Sequence, residues 1–434
     1  MPYLQSFAAW YYDPGVVDPA TCLAPPYDQV DPGAYHRLMA RCPCNVVLVD
    51  LPYGRPDAGA VDPYRRAADY LRQWMREGVL RRTSAPAFYW YVHTFRTPDG
   101  GVFQRHGLVA LVRSEPQGSP AILPHEMTYE EPIYDRIQHL VTTGLQASPV
   151  FFVYRPTEAT AALEADLRAW ARTHPPLIRV ETTDGEVHEV WSIEDPQEEA
   201  RVRATFAEVP LLIADGHHRY EAIRRLAALR PDEPTWGYVL GYLADADQPG
   251  LLQMGYHRVV TLHRSVDESA LRTAFRPFFD LEAEDRLVEP SDLHRWVERG
   301  GAGPRLLMLA GGPLRVYLWR MKPALYEVLK DPYETLDVFI VQRFVFGEVF
   351  QGRLGWTSQD YTVQHWPWTS AILQALQTGQ AHLAFLVDPI PVATLFRLAG
   401  RGLRVPPKST YFYPKVPAGL LMHVVEGPVY NEEP

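Results

Sequence analysis

The stretch of the sequence that is richest in chemically active side chains reads A-D-G-H-H-R-Y, over residues 214–220. The apolar run over residues 209–214 predicts a strand that stops at Asp215, and a helical pattern follows within a few residues. The free amides and the dipole of a helix N-terminus favour an anion at such a turn. Gly216 lets a ligand approach the backbone, and Arg219 offers a two-pronged donor to phosphate oxygens. We therefore predict that this turn binds the phosphate of a nucleotide.

Other roles for these residues stay open at the level of sequence. His217 and His218 supply donors, metal ligands or proton carriers, so a metal site without nucleotide is one alternative. A purely structural turn is another, in which Asp215 caps the helix.

A second group of reactive side chains is His125 and Glu126, which follow Pro124 and precede Thr128. A glutamate beside a bound phosphate chain serves either as the general base for an alcohol or as a Mg²⁺ ligand. The alternative is an exposed carboxylate, or one that caps a helix. An Asp135-Arg136 pair comes shortly afterwards.

Three further segments carry polar side chains between prolines or at the start of a section. Residues 405–420 form a basic, aromatic, Pro-rich loop that either closes over a charged substrate or packs as a stapled surface loop. Residues 24–28 form a rigid extended segment, and a His-Arg pair opens the third section of the chain. The side chains of interest in these segments are Lys408, Ser409, Thr410, Lys415, Tyr27, Asp28, His257 and Arg258.

The elements that must position these residues alternate between strand and helix patterns, which predicts a mixed α/β fold. We expect three sections, at residues 1–120, 121–256 and 257–434. Strong local signals predict a strand over residues 45–51, a helix over 62–79 capped by Asp62, a hairpin of 87–95 with 102–113, and helices over 134–144 and 291–298.

Composition narrows the class of protein. The 434 residues are 47% hydrophobic and 22% charged, as in globular proteins, and they include no long apolar run. The net charge of −10 argues against nucleic acid as a partner. Three cysteines without a C-x-x-C pair predict neither a disulfide framework nor a cysteine zinc site, and the cytoplasm is the expected location.

Seven segments together resemble the bacterial and archaeal family of proteins of unknown function known as DUF family 1015. They read P-P-Y-D at 25–28, H-E-x-T at 125–128, D-R at 135–136, A-D-G-H-H-R-Y at 214–220, H-R at 257–258, L-D-V at 336–338 and P-K-S-T-Y-F-Y-P-K at 407–415. The D-G-H-H-R element is in turn similar to the phosphate-binding turn of the ParB and sulfiredoxin superfamily, which includes free-serine kinases. The resemblance implies a ParB/sulfiredoxin-like core over residues 121–256.

The resemblance also implies roles for individual residues. Asp215, Gly216, His217, His218 and Arg219 would hold ATP or ADP with Mg²⁺, with Asp215 near the metal, and Glu126 would be the catalytic base. Lys408, Ser409, Thr410 and Lys415 would contact the nucleotide. His125, Tyr27, Asp28, His257 and Arg258 would lie near the substrate.

This sequence departs from the family pattern where a lysine usually precedes the D-R pair, since Ile133 and Tyr134 stand there. The leading hypothesis is a kinase for a small alcohol such as serine. The alternatives are a nucleotide-gated binding protein resembling ParB and a phosphate-ester hydrolase. The oligomeric state stays open.

Overall fold

The computed structural model describes residues 3–54, 62–98, 100–286, 305–311, 314–329, 331 and 333–425. The chain divides into two compact units, Met1–Leu252 with Phe412–Pro434, and Gln253–Tyr411. The mixed α/β class is confirmed. The helix predicted over residues 291–298 lies outside the described residues, and the division into three sections remains a prediction.

The strands of the described residues are short to medium in length and are numbered in chain order. They are β1 Leu4–Gln5, β2 Trp10–Tyr12, β3 Leu80–Arg82, β4 Phe88–Arg96, β5 Val102–Arg113, β6 Ile122–Pro124, β7 Leu145–Gln146, β8 Val150–Tyr154, β9 Ile178–Glu181, β10 Val187–Ile193, β11 Leu211–Asp215, β12 Tyr238–Asp245, β13 Leu252–Met254, β14 His257–Leu262, β15 Phe279–Arg286, β16 Arg305–Ala310, β17 Arg315–Met321, β18 Tyr361–Trp366, β19 Leu383–Leu386, β20 Tyr411–Tyr413 and β21 His423–Val424.

The helices are numbered in the same way. They are α1 Pro19–Cys22, α2 Pro32–Arg41, α3 Val47–Asp50, α4 Pro63–Arg76, α5 Glu130–Thr143, α6 Glu158–Ala171, α7 Pro196–Phe206, α8 His217–Leu229, α9 Glu268–Phe275, α10 Pro323–Tyr326, α11 Asp337–Ile340, α12 Thr369–Thr378 and α13 Val392–Gly400. A π-helix, Val341–Arg353, follows α11, and short 3₁₀ turns lie at Tyr27–Gln29, Pro52–Gly54 and Pro234–Gly237.

The first unit is built on a mixed sheet with the order β6-β11-β8-β12-β5-β4-β10-β9, and β1 pairs with β5. Two neighbouring pairs are parallel, β6 with β11 and β8 with β12, whereas the other pairs are antiparallel. The long hairpin of β4 and β5 confirms the one predicted from sequence. Because β6 and β11 are parallel, their carboxyl ends lie at the same edge of the sheet, and this edge carries the candidate site.

The two faces of this sheet have different coverings, because successive side chains of a strand alternate between faces. One face packs against helices through a large apolar cluster that includes Trp90, Phe152 and Ile213 on strands and Leu163 and Ile223 on helices. The other face of β4 presents Tyr89, Tyr91, His93 and Phe95, all of them buried. Histidine on a covered sheet face is uncommon, so His93 calls for a physical explanation.

Helix ends near the site follow ordinary capping chemistry. The Asp62 carboxylate accepts a hydrogen bond from the Arg65 amide at 2.9 Å, and Pro63 opens α4, as predicted. Helix α5 ends at Thr143 and is capped by Gly144, whose φ of 67° is the left-handed conformation that glycine tolerates. These signals explain why both helices were predictable from sequence.

The strand predicted over residues 45–51 is wrong, since the structure forms α3 there. The Asn45 side-chain oxygen accepts from the Val47 amide at 3.0 Å, and its amide group donates to the carbonyls of Thr21 and Leu23. The run is buried on every side, and a short apolar run of this kind has no period that separates helix from strand.

No disulfide framework was predicted from sequence, but one disulfide is present. Cys22, at the end of α1, is bonded to Cys42, which caps the C-terminus of α2, and their Cα atoms are 5.6 Å apart. An odd cysteine count leaves room for one bridge and one free thiol, here Cys44.

The second unit contains an antiparallel sheet in the order β15-β17-β16-β19-β14-β18. Its apolar cluster joins strand residues such as Leu309 and Val316 to Leu373 and Leu376 of α12. Within the described parts of the chain, no helix has the length and apolar character needed to cross a membrane.

Candidate functional site

The edge of the first unit's sheet brings two of the predicted segments together. Strands β6 and β11 are parallel, with Pro124 opposite Ile213, so the residues that follow each strand leave from the same edge. The rings of His125 and His217 consequently lie 4.7 Å apart in an edge-on arrangement. The H-E-x-T and D-G-H-H-R segments, which are far apart in sequence, are therefore neighbours in the fold.

The turn itself depends on Gly216. Its φ is 89°, and a Cβ there would lie 2.9 Å from Nη2 of Arg219. Gly216 is the N-cap of α8 and no side chain caps this helix, so Asp215 does not have the capping role. The helix begins at His217, and the amides of its first turn have no acceptor within the helix.

Asp215 is compensated by two cations. One carboxylate oxygen accepts from Arg219 Nη2 at 2.9 Å, and the other accepts from Lys415 Nζ. All three side chains are largely buried. Two cations and one carboxylate leave a net positive charge at the turn, which suits an anion. A Mg²⁺ ion at Asp215 would have to displace Lys415, so Asp215 as it stands does not fit a resident Mg²⁺ ion.

Arg219 is engaged by the protein itself. Its Nη1 donates to the Ser148 hydroxyl at 2.8 Å and to the carbonyls of Ser148 and Pro149 at 3.1 and 2.7 Å. Its Nε is buried and has no hydrogen-bond partner among the described residues. In this conformation Arg219 positions Asp215 and the start of β8, and its buried Nε remains as a donor. Its predicted contact with a phosphate stays a prediction.

His218 and Glu126 flank the turn on the side of α5. The His218 Nε2 accepts a hydrogen bond from the Tyr129 amide at 3.0 Å, and the two rings are stacked. Glu126 is half-buried in the segment between β6 and α5. Arg225 of α8 holds the start of α5 through two hydrogen bonds to Glu130, at 2.6 and 2.8 Å. The α5 segment is thus fixed against α8 beside the turn.

The P-P-Y-D segment lies close to the same charges. The guanidinium of Arg136 lies 4.0 Å from the centre of the Tyr27 ring. Burial raises the pKa of Tyr27, and the charges of Arg136 and, more weakly, Arg219 oppose that rise. Asp28 is exposed at the start of the same 3₁₀ turn.

Sequence reasoning missed Asp50, which pairs with Arg136. Arg136 Nη1 donates to the Asp50 carbonyl at 2.9 Å and contacts its carboxylate at 3.4 Å. Burial raises the pKa of the Asp50 carboxyl, and the Arg136 charge opposes this. A signal was present, because Asp50 ends an apolar run in which an acid is out of place.

A small cavity separates the two arginines. It has a volume of about 30 Å³ and is lined by Asp50, Arg136, Ser148 and Arg219 together with apolar side chains. A volume of this size suits a water molecule, and a nucleotide must therefore approach the turn from its solvent side. Ser148 was also missed, since a lone serine before a strand carries no signal.

The remaining predicted residues belong to the second unit and have their own contacts there. The Lys408 carbonyl accepts from Arg258 Nη1 at 3.0 Å, and the Lys408 ammonium lies 5.8 Å from the centre of the Tyr256 ring. Burial lowers the pKa of His257 to about 4, and its Nδ1 accepts from the Val387 amide at 3.1 Å. Ser409 and Thr410 are buried. Their nucleotide-binding roles remain predictions.

The fold and this site define an α/β protein with a positively charged strand-to-helix turn at a sheet edge. The sequence matches the model of the family described as "Protein of unknown function (DUF1015)" over residues 4–339, and the chain belongs to that family. The resemblance to this family is thereby confirmed, and the similarity of the D-G-H-H-R element to the ParB and sulfiredoxin turn remains a prediction. No curated protein matches the sequence.

Several solved structures show a distant likeness to the chain. A free serine kinase in complex with AMP is 11% identical, with 67% of this chain and 83% of that chain covered and a TM-score of 0.34. SbnI with a C-terminal truncation from Staphylococcus aureus is 10% identical, with coverages of 71% and 87% and a TM-score of 0.37. A conserved hypothetical protein from Pyrococcus furiosus is 12% identical, with coverages of 69% and 90% and a TM-score of 0.33. Likenesses at scores this low assign no function to the chain.

Proposed function

We propose that this protein is a nucleotide-dependent phosphotransferase that phosphorylates a small alcohol, such as free serine, with ATP or ADP as donor. The observation that carries the proposal is the shared edge of β6 and β11. It places a half-buried glutamate segment beside a glycine turn that has a helix N-terminus and a net positive charge.

The turn would bind the nucleotide phosphates. The amides of the first turn of α8 and the helix dipole stabilise negative charge, and Gly216 leaves room for close approach to the backbone. Lys415 adds a cation that is held in place by Asp215. Phosphoryl transfer requires mainly positioning and charge stabilisation, and these groups supply both.

Glu126 would accept the proton of the acceptor hydroxyl. It lies one residue beyond His125, whose ring packs against His217 of the turn. Mg²⁺ bound to the nucleotide would neutralise charge on the transferred group. His125, Tyr27 and Asp28 remain candidates for contacts to the substrate, and a cytoplasmic location remains a prediction.

The test is transfer of labelled phosphate from ATP or ADP to serine and to a panel of amino acids and polyols. We expect labelled phosphoserine or another phosphorylated alcohol. Glu126→Gln should lower the rate by about 10²- to 10⁴-fold, the usual value of a general base. It should leave nucleotide-induced thermal stabilisation intact.

Glu131→Gln, which changes an exposed carboxylate on α5, is the matched control and should behave as wild type. The proposal is rejected if no acceptor is labelled and nucleotides stabilise neither the wild type nor Arg219→Ala. Stabilisation without transfer would instead favour a nucleotide-gated binding protein, and hydrolysis of phosphoserine without nucleotide would favour a phosphatase.

A further inference from the structure

A second polar cluster lies away from the candidate site, on the other part of the same sheet. It consists of His93 on β4, His188 on β10 and Glu186 just before β10, and is called the face cluster below. The two histidines are directly opposite each other in the strand register. Both are buried, whereas the Glu186 side chain is 21% exposed.

The ligand atoms of the face cluster converge. Oε2 of Glu186 is 2.8 Å from Nε2 of His93 and 3.8 Å from Nε2 of His188. One ligand atom from each residue lies within 4.8 Å of the others. A tetrahedral zinc ion with bonds of about 2.0–2.1 Å separates its ligands by roughly 3.3 Å, a value between the two measured distances.

We propose that His93, Glu186 and His188 form a binding site for a divalent transition-metal ion of the zinc type. Two imidazoles and a carboxylate are a ligand set that zinc uses, with a fourth position left for water. The partial exposure of Glu186 provides the route by which the ion enters.

The surroundings of the cluster support a metal through His188. The Tyr91 hydroxyl lies 2.8 Å from His188 Nδ1, so that nitrogen is fixed by a partner while Nε2 faces Glu186.

The ligand atoms of the face cluster share one hydrogen bond, between Nε2 of His93 and Oε2 of Glu186 at 2.8 Å, which a bound ion would replace. The other ring nitrogen of His93, Nδ1, is buried and has no hydrogen-bond partner among the residues the structure describes, so it is not one of the proposed ligand atoms.

Arg105 opposes a cation here. It lies opposite His93 in the register of β4 and β5, is fully buried, and its charge helps to lower the pKa of both histidines. Its guanidinium lies 4.8 Å from the centre of the Phe151 ring and donates to the Tyr413 carbonyl at 3.2 Å. The Glu186 carboxylate offsets this charge, and we expect an affinity weaker than that of a Cys-rich zinc site.

The backbone prepares Glu186 for this role. In the turn between β9 and β10, the Glu186 amide donates to the Thr182 hydroxyl at 3.1 Å, and its carbonyl accepts from the Thr182 amide at 2.9 Å. A metal bound by Glu186 and His93 would therefore link this turn to β4. It would stabilise the sheet, because it binds only the folded state.

The test is titration of the metal-stripped full-length protein with Co²⁺, followed by competition with Zn²⁺. We expect one ion per chain, visible absorption of the four-coordinate Co²⁺ type, and a rise in Tm on adding Zn²⁺. Glu186→Gln and His188→Ala should each weaken binding by about 100-fold or more, since outer-shell partners alone are worth about 10- to 100-fold.

Glu189→Gln on the same strand and His174→Ala at an exposed position are the matched controls and should bind as wild type. If His188→Ala does not fold, Glu186→Gln decides, because Glu186 lies in a partly exposed turn. The proposal is overturned if the wild type binds neither ion, or if Glu186→Gln binds as tightly as Glu189→Gln. The ATP-induced rise in Tm should be the same in all these variants, so this outcome is separate from the proposed kinase activity.

Discussion

Two regions of the first unit combine histidines with a carboxylate, and they do so in different ways. At the sheet edge, His217, Arg219 and Asp215 come from one stretch of chain, and Asp215 is paired with two cations. In the face cluster, His93 of β4 meets His188 of β10 and Glu186 of the turn before β10, and a buried nitrogen of His93 is left without a hydrogen-bond partner in the described structure. The edge is thus a compensated, anion-attracting turn, whereas the face is a set of neutral ligands around a carboxylate.

The largest effect is expected from removing the guanidinium at the edge. Arg219→Ala leaves the Ser148 and Pro149 carbonyls without their donor and Asp215 with one cation. Breaking a buried pair of this kind costs about 3–5 kcal/mol. Urea unfolding at constant pH measures the loss.

The control for this substitution is Arg225→Ala on the same helix. Arg225 pairs with Glu130, whose side chain is 81% exposed, and with Glu221 one turn earlier on α8. Surface pairs and i,i+4 pairs of this kind are worth about 0–1 kcal/mol each. Equal losses of unfolding free energy in the two variants would show that the Arg219 pair contributes no more to stability than a surface pair. The sheet edge would then not be a buried, compensated set of charges.

A somewhat smaller effect is expected at the glycine of the turn. In Gly216→Ala the alanine must adopt the left-handed conformation, which costs about 1–2 kcal/mol. Its Cβ would also lie 2.9 Å from Nη2 of Arg219. We expect a loss of about 2–3 kcal/mol in unfolding free energy and a smaller nucleotide-induced rise in Tm.

Gly118→Ala separates these two causes. Gly118 has a φ of 85°, and a Cβ there meets nothing within 4 Å, so only the backbone strain is added. If both variants lose the same stability, the crowding at Gly216 does not matter, and its small size is not what keeps the turn open.

The two regions also differ in how far sequence predicts them. The edge was predictable because Asp215, Gly216 and Arg219 lie within one short motif, and strand-to-helix turns have local signals. The hydrogen bonds of Arg219 to Ser148 and Pro149 were not predictable from sequence, because they depend on how β8 pairs with β11.

The face cluster carried no such signal. His93 and His188 are brought together only by the pairing of β4 with β10, and β10 itself was not predicted. The same limitation explains α3, where the helix is fixed by bonds from Asn45 to Thr21 and Leu23 rather than by a period in the sequence.

A smaller effect is expected in the pH dependence of the unfolding free energy, where the face cluster contributes through His188. In the metal-free folded state the pKa of His188 is about 3, below the usual 6.5, so protonation favours the unfolded chain. The stabilisation is complete above pH 6.5 and is lost as the pH falls toward 3, at about 1.4 kcal/mol per pH unit for one proton.

Urea unfolding between pH 4 and 7 in the presence of a chelator checks this. His188→Gln should have a shallower dependence on pH than wild type by about one proton, whatever its stability at pH 7. His174→Gln, at an exposed position, should keep the wild-type slope. An unchanged slope in His188→Gln would mean that the face cluster is not a neutral set of ligands.

The smallest effect on stability is expected at His218, and it bears most directly on what the edge is for. The hydrogen bond from the Tyr129 amide to Nε2 of His218 is exposed, and such a bond contributes about 0.5–1.5 kcal/mol at most. His218→Ala should therefore unfold at nearly the wild-type urea concentration. If His218 also serves a phosphate, the ATP-induced rise in Tm should fall clearly in the same variant. Tyr129→Ala is the control, because it removes the stacked ring and keeps the amide. A normal nucleotide response in His218→Ala would assign His218 to the packing of α5 against α8 and leave the amides and Lys415 as the groups that attract the anion.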